Sequence, residues 1–142
     1  MWRPVFEADL ISRLSLDEID AFRQQDGGDG DVIARAIAGE VAYVRGIIRS
    51  APSGIRLSSD ESMLPESLIS PAMDHLRFNV LTRLNYAVND SRTKAYEQAN
   101  VLFDQVRKGD FIPEPSAENA DTSGNVAGSP VSATAKPKRL LD

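Results

Sequence analysis

The stretch Val32–Arg49, VIARAIAGEVAYVRGIIR, constrains the fold more than any other part of the chain. Ile33, Ile37, Val41, Val44 and Ile48 recur at spacings of four, four, three and four residues. An α-helix gathers such positions onto one face, whereas a strand scatters them over two. Arg35, Glu40, Arg45 and Arg49 are read as lying off that stripe. A helix this long with one apolar face must be covered by other elements, so the remaining sequence is read for its partners.

The partners are helical too. Glu7–Leu14, EADLISRL, carries Leu10, Ile11 and Leu14 on one side. Ser15 then caps a second short helix with Glu18 three residues on, the two ends of a capping box. Leu16, Ile19 and Phe22 give that helix a narrow stripe. Farther on, Ser70 reads as an N-cap with Pro71 at the first helical position, where the missing N–H costs nothing. The helix Pro71–Val88 turns Met73, Leu76, Val80, Leu84 and Ala87 inward, while Phe78, Leu81 and Val88 widen its apolar surface. Arg92–Lys108 is the last helix, with Ala95, Tyr96, Ala99, Leu102, Phe103 and Val106 at helical spacing. Lys108 suits the negative end of its dipole, and Gly109 its termination. Only GIRL at 54–57 hints at a period of two. The expected fold is an all-α bundle of four to five helices, with a long loop over 50–70.

From Asp110 onward Ser, Ala, Pro, Gly, Thr and Asn dominate, and apolar anchors are scarce until Leu140 and Leu141. Such composition does not bury enough surface to offset its ordering entropy alone. The expected division is a helical domain over 1–109 and an extended polar tail over 110–142, ordered on a partner.

Composition narrows the function classes. The formal charge of −5 disfavours a sequence-independent hold on nucleic acid, and only KPKR at 136–139 is locally basic. There is no cysteine and a single histidine, which excludes thiolate metal sites and His-rich zinc sites. No apolar run is long enough to span a bilayer, and MWRPVFEADL lacks the apolar core of a signal peptide, so assembly in the cytoplasm is expected.

The acidic loop DGGDGD at 26–31 invites a metal reading, but no EF-hand register fits. Placing Gly30 at the loop's invariant glycine puts Gln25 first and Ala36 last, and starting from Asp26 leaves glycine where carboxylates belong. A turn with Asp31 as N-cap of the long helix accounts for the residues better. His75 is expected in a polar contact or at the surface, and Asp17, Glu18 and Asp20 as solvated charge. No catalytic, cofactor-binding or metal-ligating constellation emerges, and neither a nucleophile elbow nor a phosphate-binding glycine pattern is present.

Taken in order, EADLISRL, DGGDGDVIARAIAGEVAYVRGII and ANVLFDQVRKGDF resemble the small neck proteins of tailed phages, the Mu-like family of head–tail connector or adaptor proteins, over residues 6–112. The 50–70 loop is longer than the usual connection, and RGIIRSAPSG stands where an aromatic-glycine end of the long helix is typical. The resemblance implies a structural virion protein without enzymatic activity or cofactor. It would form a homo-oligomeric ring in the neck, commonly a dodecamer, between the portal protein and a tail-terminator or stopper protein. Genomic DNA would pass through its channel unbound, and an acidic wall suits that passage.

On that reading, Trp2, Phe6, Ile55, Leu57, Leu64, Phe78 and Leu81 are expected at subunit or portal contacts. Phe111, Ile112, Leu140 and Leu141 would anchor the tail, and cutting after Gly109 would leave a folded domain that assembles poorly. The alternative is a small cytosolic helical regulatory or adaptor module that binds one protein partner through its tail.

Overall fold

A computed structural model describes residues 1–26 and 31–117. Its elements run β1 (Trp2–Pro4), α1 (Glu7–Ile11), α2 (Leu16–Arg23), a short 3-10 turn (Gln24–Asp26), α3 (Val32–Ser50), β2 (Met63–Pro65), α4 (Glu66–Arg83) and α5 (Asp90–Lys108). The fold is all-α, with one two-stranded ribbon.

The long helix α3 behaves as its spacing predicts: Ile33, Ile37, Val41, Val44 and Ile48 are all buried. Glu40 and Arg45 do not stay off that face. Both are buried, because Glu40 lies three residues from Ile37 and four from Val44, and Arg45 four from Val41 and three from Ile48, spacings that fall on the same side of a helix. At the N-terminal end, Asp31 takes the cap position with its carbonyl accepting from Arg35 N–H at 2.9 Å, but its side chain does not cap the first turn. Residues 27–30 of the acidic loop lie outside the described residues, and the metal reading of that loop with them.

The helix α1 is shorter than its periodicity suggests. Ser15 must adopt extended backbone (φ −75°, ψ 165°) to cap α2, so α1 ends at Ile11 and Ser12–Leu14 form a tight turn. The capping box is present: Glu18 N–H donates to Ser15 Oγ at 3.2 Å, and Ser15 N–H donates to Glu18 Oε1 at 2.9 Å. Ile19 and Phe22 are buried, but Leu16, at the start of the helix, points into solvent.

The helix α4 corrects two expectations. It starts at Glu66 rather than Pro71, so Pro71 sits inside it, where its missing N–H removes a bond to the Ser67 carbonyl. Burial of Leu68 and Ile69 in that added turn outweighs the local preference of proline for a helix start. At its far end, Asn85 turns left-handed (φ 62°) and stops the helix at Arg83, leaving Ala87 exposed. The wide apolar surface reflects a central position: α4 packs on both α3 and α5.

The GIRL stretch forms no strand. The ribbon instead joins Trp2–Pro4 to Met63–Pro65, antiparallel, with Arg3 opposite Leu64. Between α3 and β2 the chain loops back, and the guanidinium of Arg45 holds it. It donates to the carbonyls of Ser58 (2.6 Å), Asp60 (3.2 Å) and Met63 (3.0 Å).

The last helix opens on Asn89, whose Oδ1 accepts from Arg92 N–H at 2.8 Å, and closes on left-handed Gly109 (φ 82°). Beyond it, residues 110–117 do not leave the body. Pro113 and Ser116 are buried, and Ser116 N–H donates to the Arg56 carbonyl at 2.9 Å.

Candidate interaction groove

Where α3 faces away from α4, its outer surface is built of Ala34, Ala38 and Ala42, one per turn, over buried Ile37 and Val41. Small side chains leave a trough there. The segment Val5–Glu7 forms one wall and Glu61–Ser62 another, enclosing an open groove of about 550 Å³. Phe6 stands in this wall with 57% of its surface in water.

Phe6 is held there by its backbone. Asp9 Oδ2 accepts from Phe6 N–H at 2.7 Å, and the Asp9 carboxylate takes two bonds from Arg3 at 2.9 and 3.1 Å. The Arg3 hydrogen bond holds the Asp9 carboxyl below its ordinary range against the opposing effect of burial, helped by the Phe6 N–H. The Arg3 guanidinium lies 6.0 Å from the Phe6 ring centre. One residue earlier, Val5 N–H donates to the Ser62 carbonyl at 3.2 Å and ties the two walls together. Glu7 and Glu61 also line the groove, and neither is paired with a cation among the described residues.

The other residues expected at contacts separate into classes. Trp2, Leu64 and Leu81 are buried within the chain's own fold. Trp2 has a local role: its Nε1–H donates to the Glu114 carbonyl at 2.7 Å, and its ring lies under the Arg45 guanidinium at 5.6 Å. Ile55, Leu57 and Phe111 are half-buried against the core. Phe78 stacks on Tyr96 with ring centres 3.9 Å apart. Ile112 is 60% exposed. Leu140 and Leu141 lie outside the described residues. Of the expected contact residues, Phe6 and Ile112 are the large apolar side chains open to solvent among the described residues.

Two polar clusters have partners that the sequence reading did not name. His75 is buried, with Nδ1 at 2.9 and 3.1 Å from the two oxygens of buried Glu40. Its ring lies between those of Tyr43 and Tyr96, each 5.3 Å away and nearly parallel, with the edge of Phe103 at 5.5 Å. The histidine therefore makes the expected polar contact, and the pair ties α3 to α4 within an aromatic stack. Neither residue lines the groove.

In the second cluster, Arg13 bonds Asp74 at 2.7 Å and Ser70 at 2.9 Å, while Arg92 bonds Glu18 at 2.7 Å and the Arg13 carbonyl at 3.3 Å. Glu18 is thus a buried partner rather than solvated charge. Burial pushes its pKa upward, but the bonds from Arg92 and Ser15 prevail and hold it low. These ion pairs join the turn after α1 to α4, and α2 to α5. The signal for both clusters was a charged or titratable residue at a position whose helical phase is apolar.

Among the described residues, no three His, Cys, Asp or Glu side chains cluster as metal ligands, and no helix is long and apolar enough to cross a membrane. The chain matches no protein-family model, no curated protein and no solved structure. The connector resemblance therefore rests on residue pattern and order.

Proposed function

We propose that this chain is a structural assembly protein, a head–tail connector that forms a homo-oligomeric ring between portal and tail in the neck of a tailed phage. The observation that carries the reading is the open groove on α3, with Phe6 in its wall and an alanine floor. A depression lined mainly by apolar groups, with an aromatic side chain standing exposed beside it, is the kind of surface that seats a side chain of a protein partner. The order of sequence elements supplies the identity of the partners. On this reading the protein works by shape and adhesion, with no catalytic group or cofactor, and DNA crosses the ring without specific binding. The tail wraps a neighbouring subunit or the portal, gaining contact area as it orders.

Sedimentation velocity on the purified chain, alone and mixed with a portal, tests the proposal. A ring that forms on the portal, and is lost on Phe6→Asp while the variant keeps its helical circular dichroism, is the expected result. A chain that stays monomeric with the portal but binds one other cytosolic protein would replace the connector with the regulatory-adaptor reading.

A further inference from the structure

The groove on α3 and the basic stretch near position 140 are complementary in chemistry, and among the described residues nothing fills the groove. The groove is lined mainly by apolar side chains together with Glu7 and Glu61, neither of which is paired with a cation among the described residues. Residues 118–142 hold three acids and three bases, so the net charge of −5 belongs to the rest of the chain. All three of those bases, Lys136, Lys138 and Arg139, stand immediately before the segment's only two leucines. An apolar pair preceded by cations is the chemistry that an apolar trough with two acids in its lining would select.

Reach permits the contact. Ala117, the last described residue, is tied to the body through Ser116. A Ser-, Gly- and Ala-rich stretch from there to Leu140 has a root-mean-square span of about 25 Å. A domain of this size is roughly 35 Å across, so the pair can arrive at its own groove. A tether of this length presents its end at an effective concentration on the order of millimolar, above that of any neighbouring copy in a dilute solution.

We infer that the segment Lys136–Leu141 docks in the groove of its own chain, with Leu140 and Leu141 against Ala34, Ala38 and Phe6 and its bases toward Glu7 and Glu61. The inference stands apart from the connector reading, since it concerns the free protein. If that reading also holds, the groove is covered until a partner displaces the segment.

Paramagnetic broadening of backbone amide signals tests it on the full chain. The protein lacks cysteine, so Asp142→Cys carries a single nitroxide. The amides of Phe6, Ala38, Ala42 and Ser62 should broaden most, and to the same extent on dilution. The double change Leu140→Asp and Leu141→Asp should reduce the docked population by about tenfold or more. Reversing Glu7 and Glu61 to Lys should weaken it as well. Broadening that is absent from the groove, or that survives the double change, overturns the inference. Broadening carried between chains, seen when nitroxide-bearing protein is mixed with isotope-labelled protein lacking cysteine, would place the segment on another copy and overturn the intramolecular contact.

Discussion

Glu114 sits half-exposed at the edge of the fold, yet its carboxyl is held at about 2. Burial pushes the value up; bonds from Ser67 Oγ (2.6 Å), the Met1 ammonium (3.0 Å) and Ser67 N–H (3.4 Å) overcome it. Because the folded value lies below the unfolded one, the stabilisation is full above the ordinary carboxylate range and disappears as pH falls toward 2. Glu114→Gln should therefore cost about 1 kcal/mol at neutral pH, discounted for solvent screening. Thermal melts should show wild type and variant converging as pH falls from about 5 to 2. A gap that widened on acidification would contradict the ion-pair account. Buried Glu40 and Arg45 also show how residue-level reading went astray. Their charge argued for solvent, while their phase on α3 placed them inside, where a histidine and three carbonyls satisfy them.

At the scale of elements, periodicity and capping were legible wherever a local signal and tertiary packing agreed. The α3 stripe, the Ser15–Glu18 box and the end of α5 at Gly109 are such cases. The start of α4 was not legible, because the Pro71 signal is local and the burial of Leu68 and Ile69 that overrides it is tertiary. The ribbon of Trp2–Pro4 with Met63–Pro65 was hidden for a related reason: three residues carry no usable alternation. The groove escaped because it depends on alanines that periodicity treats as neutral, and on a loop whose return path is set by Arg45. Gly109 allows a quantitative check. Its φ of 82° is strained for any side chain, and an added Cβ would meet Pro52 Cγ at 3.0 Å. Gly109→Ala should destabilise the fold by about 1–2 kcal/mol, read as a shift in the urea midpoint at unchanged slope. An unchanged midpoint would mean that the turn after α5 relaxes freely.

For the whole molecule, the decisive boundary lies beyond the last helix. Composition placed it at Gly109, where the helix ends and the polar stretch begins. The contacts place the next eight residues with the body. Trp2 Nε1–H and the Met1 ammonium both bond Glu114, Ser67 bonds its carboxylate, Ser116 bonds the Arg56 carbonyl, and Phe111 packs on the core. This strap joins the ribbon, the start of α4 and the loop after α3, which no helix–helix contact does. A chain cut after Gly109 would leave the Trp2 indole N–H without its acceptor and strip apolar cover from the ribbon. The loss should be roughly 2–4 kcal/mol, enough to lower the melting temperature by about 10 °C or more. A chain cut after Ala117 keeps every one of those contacts and should melt within a few degrees of the full protein. Differential scanning calorimetry on the two truncations and the full chain separates these contributions. Equal melting of both truncations would mean that residues 110–117 add nothing measurable to the stability of the fold.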